Sequence, residues 1–146
     1  MKLKYFIPAL LLVAAVLFFP VRKTSSISGD GAVLTTDKEK IGDCTLSIEI
    51  QEVTSLAVRY RKTFSFVLDG ERVSEFQSAH ASETGGGLCF ISQMYYDGQK
   101  NRMGSCELVY QEDLSYAVIH WNGQLYFLPN GTQMPYSEIP LVIAGN

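Results

Sequence analysis

The side chains best suited to chemistry in this 146-residue chain are three cysteines and two histidines: Cys44, Cys89, Cys106, His80 and His120. A cysteine nucleophile needs a reduced thiol with an imidazole in reach, and no local motif joins Cys44 to either histidine. The two histidines and the scattered carboxylates also lack the close spacing of a zinc site. The sequence therefore predicts no catalytic residue, no metal and no cofactor.

Two of the cysteines lie symmetrically about a turn signal. The dipeptide Asp97-Gly98 favours a two-residue hairpin turn, and Cys89 and Cys106 each lie eight residues from it. Opposed cysteines at a non-hydrogen-bonded pair come within disulfide range. We therefore predict a Cys89–Cys106 disulfide with Cys44 unpaired. A β-bulge at one of the intervening glycines would shift this register by one residue.

Aromatic residues are dense in the second half of the chain. Exposed rings could stack on a sugar or contact a protein partner, whereas large apolar side chains normally lie inside. We predict that most of these rings are in the core, and we assign ligand binding to Tyr95 and Tyr96, beside the turn, and to Trp121. The full set is Tyr95, Tyr96, Tyr110, Tyr116, Trp121, Tyr126 and Phe127.

The elements that must position these residues are strands. Apolar residues alternate with polar ones over 46–50 and 64–68, and a period of two is typical of a strand with one buried face. Turn dipeptides recur at short spacing, at 69–70, 97–98 and 122–123. The sequence therefore predicts an all-β fold of six to nine short strands, an antiparallel sandwich or small barrel built from β-hairpins.

The hairpin at Asn122-Gly123 has a register that follows from the turn alone. A two-residue loop pairs Ile119 with Tyr126 and, next along, Val118 with Phe127. Both faces of this hairpin then carry apolar side chains. A half-solvated pair would show polar residues on one face, so we expect this hairpin in the middle of the packed structure.

The N-terminal segment has the pattern of an export signal. Residues 5–19 carry no charged side chain and follow Lys2 and Lys4. We assign residues 1–23 to a signal peptide or signal anchor, a hydrophobic helix that contacts the membrane through residues 5–21, and we favour an uncleaved transmembrane anchor. The run is at or below the lower length limit of about 17 residues for a spanning helix. A buried helix of a cytosolic domain is the alternative, but such a helix shows one apolar face.

Residues 24–40 are rich in Ser, Thr, Gly, Asp and Lys, which indicates a flexible tether before a β-rich domain at 41–146. Beyond residue 23 the chain has 8 basic and 15 acidic side chains, a net charge of −7. A domain with this much negative charge excludes nucleic acid as a partner. We interpret its one basic cluster, Arg59, Arg61 and Lys62, as the solvated face of a strand.

These features favour a noncatalytic extracytoplasmic domain of the cell envelope or surface, which binds a protein or a glycan. It would be membrane-anchored facing outside the cytoplasm, or secreted if the leader is cleaved. The alternative is a small envelope enzyme that uses Cys44 or a carboxylate with His80 or His120. An aromatic-lined groove would support the first function, and a thiol beside an imidazole would support the second.

Overall fold

The computed structural model describes residues 3–54, 61–73, 76–84, 86–96 and 102–140. Within these ranges one helix, α1, precedes nine strands, and a 3₁₀ turn follows them. The bounds are α1 Leu3–Phe18, β1 Val21–Leu34, β2 Lys40–Thr54, β3 Arg61–Leu68, β4 Glu71–Arg72, β5 Phe76–Thr84, β6 Leu88–Tyr96, β7 Arg102–Gln111, β8 Tyr116–Trp121, β9 Gln124–Pro129 and the 3₁₀ turn Tyr136–Glu138.

The nine strands form one antiparallel sheet. Their order is β4-β3-β2-β1-β9-β8-β7-β6-β5, so almost every strand lies beside its neighbour in the chain. The exception is the pair β4 and β5, which follow each other in the chain but lie at opposite ends of the order. One pairing joins strands that are distant in the chain, that of β9 with the end of β1. The prediction of an all-β fold built from hairpins is confirmed.

Residues 24–34, which we predicted as part of a flexible tether, belong to strand β1. It pairs with β2 along its whole length, and Ile27, Ala32 and Leu34 on it are buried. Sequence periodicity missed it because Ile27 is the only large apolar residue between positions 24 and 31, where serines and glycines surround it. Serine and threonine are compatible with the solvated face of a strand, but they carry little of the alternating signal.

The β8–β9 hairpin has the predicted register. Ile119 lies opposite Tyr126, and Val118 lies opposite Phe127. The turn residues Asn122 and Gly123 have φ values of 53° and 76°, the positive range that a type I′ turn requires. This hairpin is buried on both faces, as expected.

The two faces of the sheet carry separate cores. The inner cluster joins residues from most of the strands, and the outer cluster lies under the C-terminal segment that follows β9. Buried members of the inner cluster are Ile27, Cys44, Leu46, Ile48, Ile50, Phe64, Phe66, Cys89, Ile91, Cys106, Leu108, Tyr110, Ala117, Ile119, Tyr126 and Leu128. Buried members of the outer cluster are Ala32, Leu34, Tyr116, Val118, Leu125, Phe127 and Ile139.

One side chain connects two strands that are not neighbours in the sheet. The Gln93 amide, only 1% exposed, donates from Nε2 to the carbonyl oxygen of Phe64 at 3.0 Å and accepts the Phe64 N–H at Oε1 at 2.8 Å. Gln93 is on β6 and Phe64 is on β3, near opposite ends of the strand order. The sheet therefore curls until these strands meet, and we call this contact the Gln93 clasp.

The helix α1 leaves its apolar side chains exposed. Within the ranges that the structure describes, no helix combines the length and the apolar character needed to cross a membrane. The predicted transmembrane anchor is therefore not supported, since α1 has 16 residues and a spanning helix needs about 20. The exposed residues of the helix are Tyr5, Phe6, Ile7, Leu10, Leu11, Leu12, Val13, Val16 and Leu17.

Candidate functional site

The predicted disulfide is wrong, because all three cysteines are free thiols. The β6–β7 register places Cys89 opposite Tyr110, and Cys106 opposite Gln93. Strand β6 ends at Tyr96 and β7 begins at Arg102, and the predicted turn at Asp97-Gly98 lies outside the described residues. An irregularity between Tyr95 and Tyr96 shifts the register further. The two thiols therefore lie at different levels of the sheet.

Thiol titration checks this arrangement directly. The unfolded, unreduced chain is expected to show three reactive thiols, and prior reduction should leave that count unchanged. The native chain should react slowly, because all three thiols are buried. Burial also raises the pKa of Cys106 and of Cys44, which keeps both protonated at neutral pH. A count of one thiol before reduction and three afterwards would show that two of the cysteines form a disulfide after all.

Of the two histidines, only His120 has a described side chain, and it does not lie beside Cys44. Cys44 belongs to the inner cluster, whereas His120 alternates with Ile119 and projects from the outer face of β8. Its Nδ1 lies 3.3 Å from Oε2 of the buried Glu107. The sheet thus separates Cys44 from His120. The backbone of His80 pairs with Ser92 on β6, and its side chain lies outside the described set.

Of the three aromatic residues predicted to bind a ligand, only Trp121 has a side chain that the structure describes. Trp121 packs at the edge of the inner cluster, with its ring edge-on to Phe66 at 5.8 Å and tilted against Tyr126 at 6.4 Å. Its Nε1 is buried and has no hydrogen-bond partner among the described residues. The ring is therefore mainly a packing element. The side chains of Tyr95 and Tyr96 lie outside the described set.

A groove on the outer face, which the sequence did not reveal, has a volume of about 500 Å³. We call it the β9 groove. The ring of Phe127 lies at its base, 6.0 Å from the ring of Tyr136 and nearly perpendicular to it. The lining residues are Phe127, Pro129, Thr132, Gln133, Met134, Pro135 and Tyr136. Most of this lining is apolar, and five of its seven residues follow one another in the C-terminal segment.

Polar contacts fix the wall of the β9 groove at both ends. At its start, Asn130 donates from its backbone N–H to Ser115 O at 2.9 Å and from Nδ2 to Leu114 O at 2.8 Å. Further on, Lys38 Nζ donates to Ser137 O at 3.2 Å. Ile139 then inserts into the outer cluster. These contacts give the segment a defined path across β9, so the groove is a preformed surface.

A second cavity lies on the inner face, at the end of the sheet where β6 begins and β7 ends. Its volume is about 130 Å³, and we call it the Lys62 chamber. Lys62 is only 7% exposed, and its Nζ lies 5.3 Å from the centre of the Tyr110 ring. The side chains that carry its polar chemistry are Lys23, Ser25, Glu52, Lys62, Cys89, Tyr110 and Glu112.

The position of Lys62 corrects the expectation of a solvated basic strand face. Arg61 is exposed, but Lys62 is buried, and Arg59 lies outside the described residues. The signal was present in the sequence, because Lys62 is in phase with Phe64, Phe66 and Leu68 and so faces the core. A cation over an aromatic face is stabilised by the ring quadrupole, which helps a lysine to persist there.

Burial raises the pKa of Tyr110 to about 12, although the neighbouring Lys62 cation pulls it down. At neutral pH the phenol is therefore protonated, and its hydroxyl group forms side-chain hydrogen bonds with Lys62 and Cys89. Lys62 also lies opposite Glu52 on β2. The chamber thus combines a cation and a phenol at depth with a carboxylate beside them.

No group of three histidine, cysteine, aspartate or glutamate side chains that could hold a metal ion occurs among the described residues. Comparison with known proteins gives no match, whether with family models, curated proteins or solved structures.

Proposed function

We propose that the chain is a noncatalytic extracytoplasmic β-domain that binds a protein partner through the β9 groove. The observation that carries the proposal is the groove itself, a preformed apolar surface of about 500 Å³. A volume of 300–1,000 Å³ with mainly apolar lining is typical of ligand sites. Proline and methionine in its lining favour a partner that presents apolar side chains, because methionine adapts its shape to irregular partners.

The lining favours a protein segment over a glycan. A sugar needs an exposed ring face with polar groups around it. Phe127 is only 2% exposed, so Tyr136 is the one ring that a ligand in this groove could cover. The net charge of −7 beyond residue 23 further favours a neutral or basic partner. An extended segment with an apolar anchor and no excess of acidic residues fits these features.

The noncatalytic part of the proposal is supported by the positions of the thiols. Cys44 and Cys106 are buried with raised pKa values, and the sheet separates Cys44 from His120. A nucleophilic thiol requires the opposite, a lowered pKa beside a base. The cysteine version of the enzyme alternative therefore has no observation in its favour among the described residues.

Of the two architectures expected from the sequence, we favour the small barrel. The Gln93 clasp supports it, because a hydrogen-bonded contact between β3 and β6 brings the two ends of the strand order together. A closed sheet also protects its edges from pairing with other chains.

Peptide selection tests the β9 groove. Peptides selected on the full-length chain from a random display library are expected to carry an apolar anchor. Met134→Ala and Gln133→Arg should weaken their binding about tenfold, the usual effect at an interface hot spot. Gln51→Arg, a matched change at an exposed position on β2, should leave binding unchanged.

Equal binding by all three variants, or no peptide above background, would contradict the proposal. Binding to a glycan array that is lost in Met134→Ala would make the partner a glycan.

We further propose that residues 5–21 contact the membrane as an export segment. The exposed apolar surface of α1 and the lysines before it support this. The small residues at 24–29, where a signal peptidase could cut, lie inside β1. Cleavage there would shorten β1, and cleavage after Ile27 would also remove a buried member of the inner cluster. We therefore expect the segment to remain attached, or to be removed before Val21.

A reporter fusion tests export. Residues 1–28 are expected to carry a reporter across the cytoplasmic membrane, since an uncharged apolar run behind lysines is what the export machinery recognises. Leu11→Arg should abolish export by placing a charge in the run, whereas Ser26→Arg, outside it, should not. A reporter that stays in the cytoplasm would contradict the assignment. A mature N-terminus at 25–30 in the native protein would show that the segment is cleaved within β1.

A further inference from the structure

Strand β1 has an edge that β9 covers only in part. β1 is 14 residues long and β9 has six, and β9 pairs with β1 only from Ala32 to Leu34. On that side residues 21–30 have no strand beside them in the described part of the chain, although β2 pairs with them throughout. Alternate residues of a strand direct their N–H and C=O groups to opposite edges. Half of these backbone groups therefore point away from the sheet, and we call residues 21–30 the β1 edge.

The β1 edge is long and regular. A proline or a β-bulge would interrupt it, but residues 21–30 contain no proline, and the irregularity in the β1–β2 pairing comes later, between Val33 and Leu34. Folded proteins protect long free edges, because such edges pair readily with another strand. Closure of the sheet through the Gln93 clasp does not cover this edge. The β1 edge is therefore suited to accept a strand from a second chain.

The charges of the β1 edge lie at its two ends and have opposite signs. On the outer face, Arg22 stands in one row with Arg61, which is two strands away on β3. At the other end, Asp30 lies opposite Thr45, whose backbone N–H donates to the Asp69 carboxylate at 2.8 Å. Neither Arg22 nor Asp30 forms an ion pair with another described residue. The edge thus has a basic end and an acidic end.

Two such edges are complementary when they run antiparallel. Ser26 is four positions from Arg22 and four from Asp30, so a two-fold axis beside Ser26 places each arginine opposite the aspartate of the other copy. Thr24 then lies opposite Ser28, and Ser26 lies opposite its own copy. Opposite charges and hydroxyl groups are favourable cross-strand neighbours, with Cβ atoms about 4.5–5.5 Å apart. All five of these side chains are exposed and available for such contacts.

We propose that the chain forms a two-fold symmetric dimer in which the β1 edges of two copies pair antiparallel, with Arg22 of each copy opposite Asp30 of the other. About eight to ten backbone hydrogen bonds then join the two sheets. The two charge pairs fix the register, because moving the axis by one residue loses both of them. No residue that lines the β9 groove lies on β1, so the dimer and the partner of the groove are tested separately.

Analytical ultracentrifugation of the full-length chain in mild detergent tests the dimer. The chain is expected to pass reversibly from monomer to dimer as its concentration rises through the micromolar range, because one strand pair is a small interface. Arg22→Asp and Asp30→Arg each place like charges opposite one another twice. Each should weaken dimerisation at least about tenfold. Asp37→Arg, the same change at an exposed position in the turn between β1 and β2, should leave it unchanged.

Mixing the two charge variants tests the pairing in the opposite direction. In a mixed dimer of Arg22→Asp with Asp30→Arg, every acidic side chain again lies opposite an arginine. The mixture should therefore dimerise at concentrations at which neither variant does so alone.

A cysteine at the two-fold axis tests the register. Ser26→Cys should give a disulfide-linked dimer on mild oxidation, since this position lies opposite itself. Thr24→Cys, on the same face, should not, because its two thiols would be about 14 Å apart along the strands. The native thiols are buried and react slowly, so they do not obscure the comparison.

Four results would overturn the proposal. The first is a chain that stays monomeric up to about 100 μM, a concentration at which even weak dimers form. The second is equal dimerisation of Asp30→Arg and Asp37→Arg, which would place the interface elsewhere, for example between the apolar helices α1. The third is a mixture of the charge variants that dimerises no better than either alone. The fourth is equal cross-linking of Ser26→Cys and Thr24→Cys.

Discussion

Gln93→Ala is expected to lower the free energy of unfolding by about 3–5 kcal/mol. The substitution removes both hydrogen bonds of the Gln93 clasp, and with them the buried partner that the Phe64 N–H and C=O have on β6. Leaving a buried polar group without its hydrogen bond costs about 1–3 kcal/mol, and the lost side-chain volume adds a cavity. Chemical denaturation followed by tryptophan fluorescence measures the change, since Trp121 packs against Phe66 on β3.

Two further variants separate the causes. Gln93→Leu keeps most of the volume and removes only the polar contacts, so a loss close to that of Gln93→Ala would assign the effect to hydrogen bonding. Gln51→Ala is the matched control: its side chain is exposed and bonds to the neighbouring Glu49, so we expect a change of about 0.5 kcal/mol or less. Similar losses in Gln93→Ala and Gln51→Ala would show that the clasp contributes nothing.

Gly31→Ala is expected to destabilise the chain by about 2 kcal/mol or more, which is within the range for overpacking a tight core. A Cβ at this position would lie 2.6 Å from the carbonyl oxygen of Phe127 and 3.3 Å from Sγ of Cys44. The first of these is a backbone atom, so β1 and β9 must move apart where they pair. Thermal unfolding measured by circular dichroism gives the change.

Gly42→Ala is the control for this prediction. Gly42 lies on β2, opposite Val33 of β1, and a Cβ there meets nothing within 4 Å. Replacing glycine restricts the unfolded chain, so this variant should be neutral or stabilised by up to about 1 kcal/mol. If Gly31→Ala were as stable as Gly42→Ala, the close approach of β1 to β9 would not exist in solution.

Local sequence predicted some of the fold well. The β8–β9 register follows from Asn122-Gly123, because a two-residue turn fixes which residues oppose one another over a few positions. The same reasoning failed for β6 and β7. Five residues separate those two strands, and the irregularity beside Tyr95 changes the register of every pair from there to Cys89. A register deduced across many residues depends on every position between, and one irregularity moves all that follow.

The candidate sites were harder to predict from the sequence than the fold was. The alternation that placed Phe64 and Phe66 in the core also places Lys62 there, but a lysine at a strand end is ordinarily solvated. In the fold, Lys62 lies over the ring of Tyr110, 48 positions further along the chain. The β9 groove likewise depends on the path of the C-terminal segment, which Asn130 fixes by bonds to the turn before β8.

The sequence by itself thus determined the class of the fold, the turns at 69–70 and 122–123 and the pairing of β8 with β9, since each depends on residues close together in the chain. Only the tertiary structure decided that β1 is a strand, that β9 pairs with it, and that Gln93 connects β6 to β3. It also decided that the cysteines lie apart. Contacts between distant segments depend on which surfaces become buried together, and that burial is a property of the whole fold that no short stretch encodes.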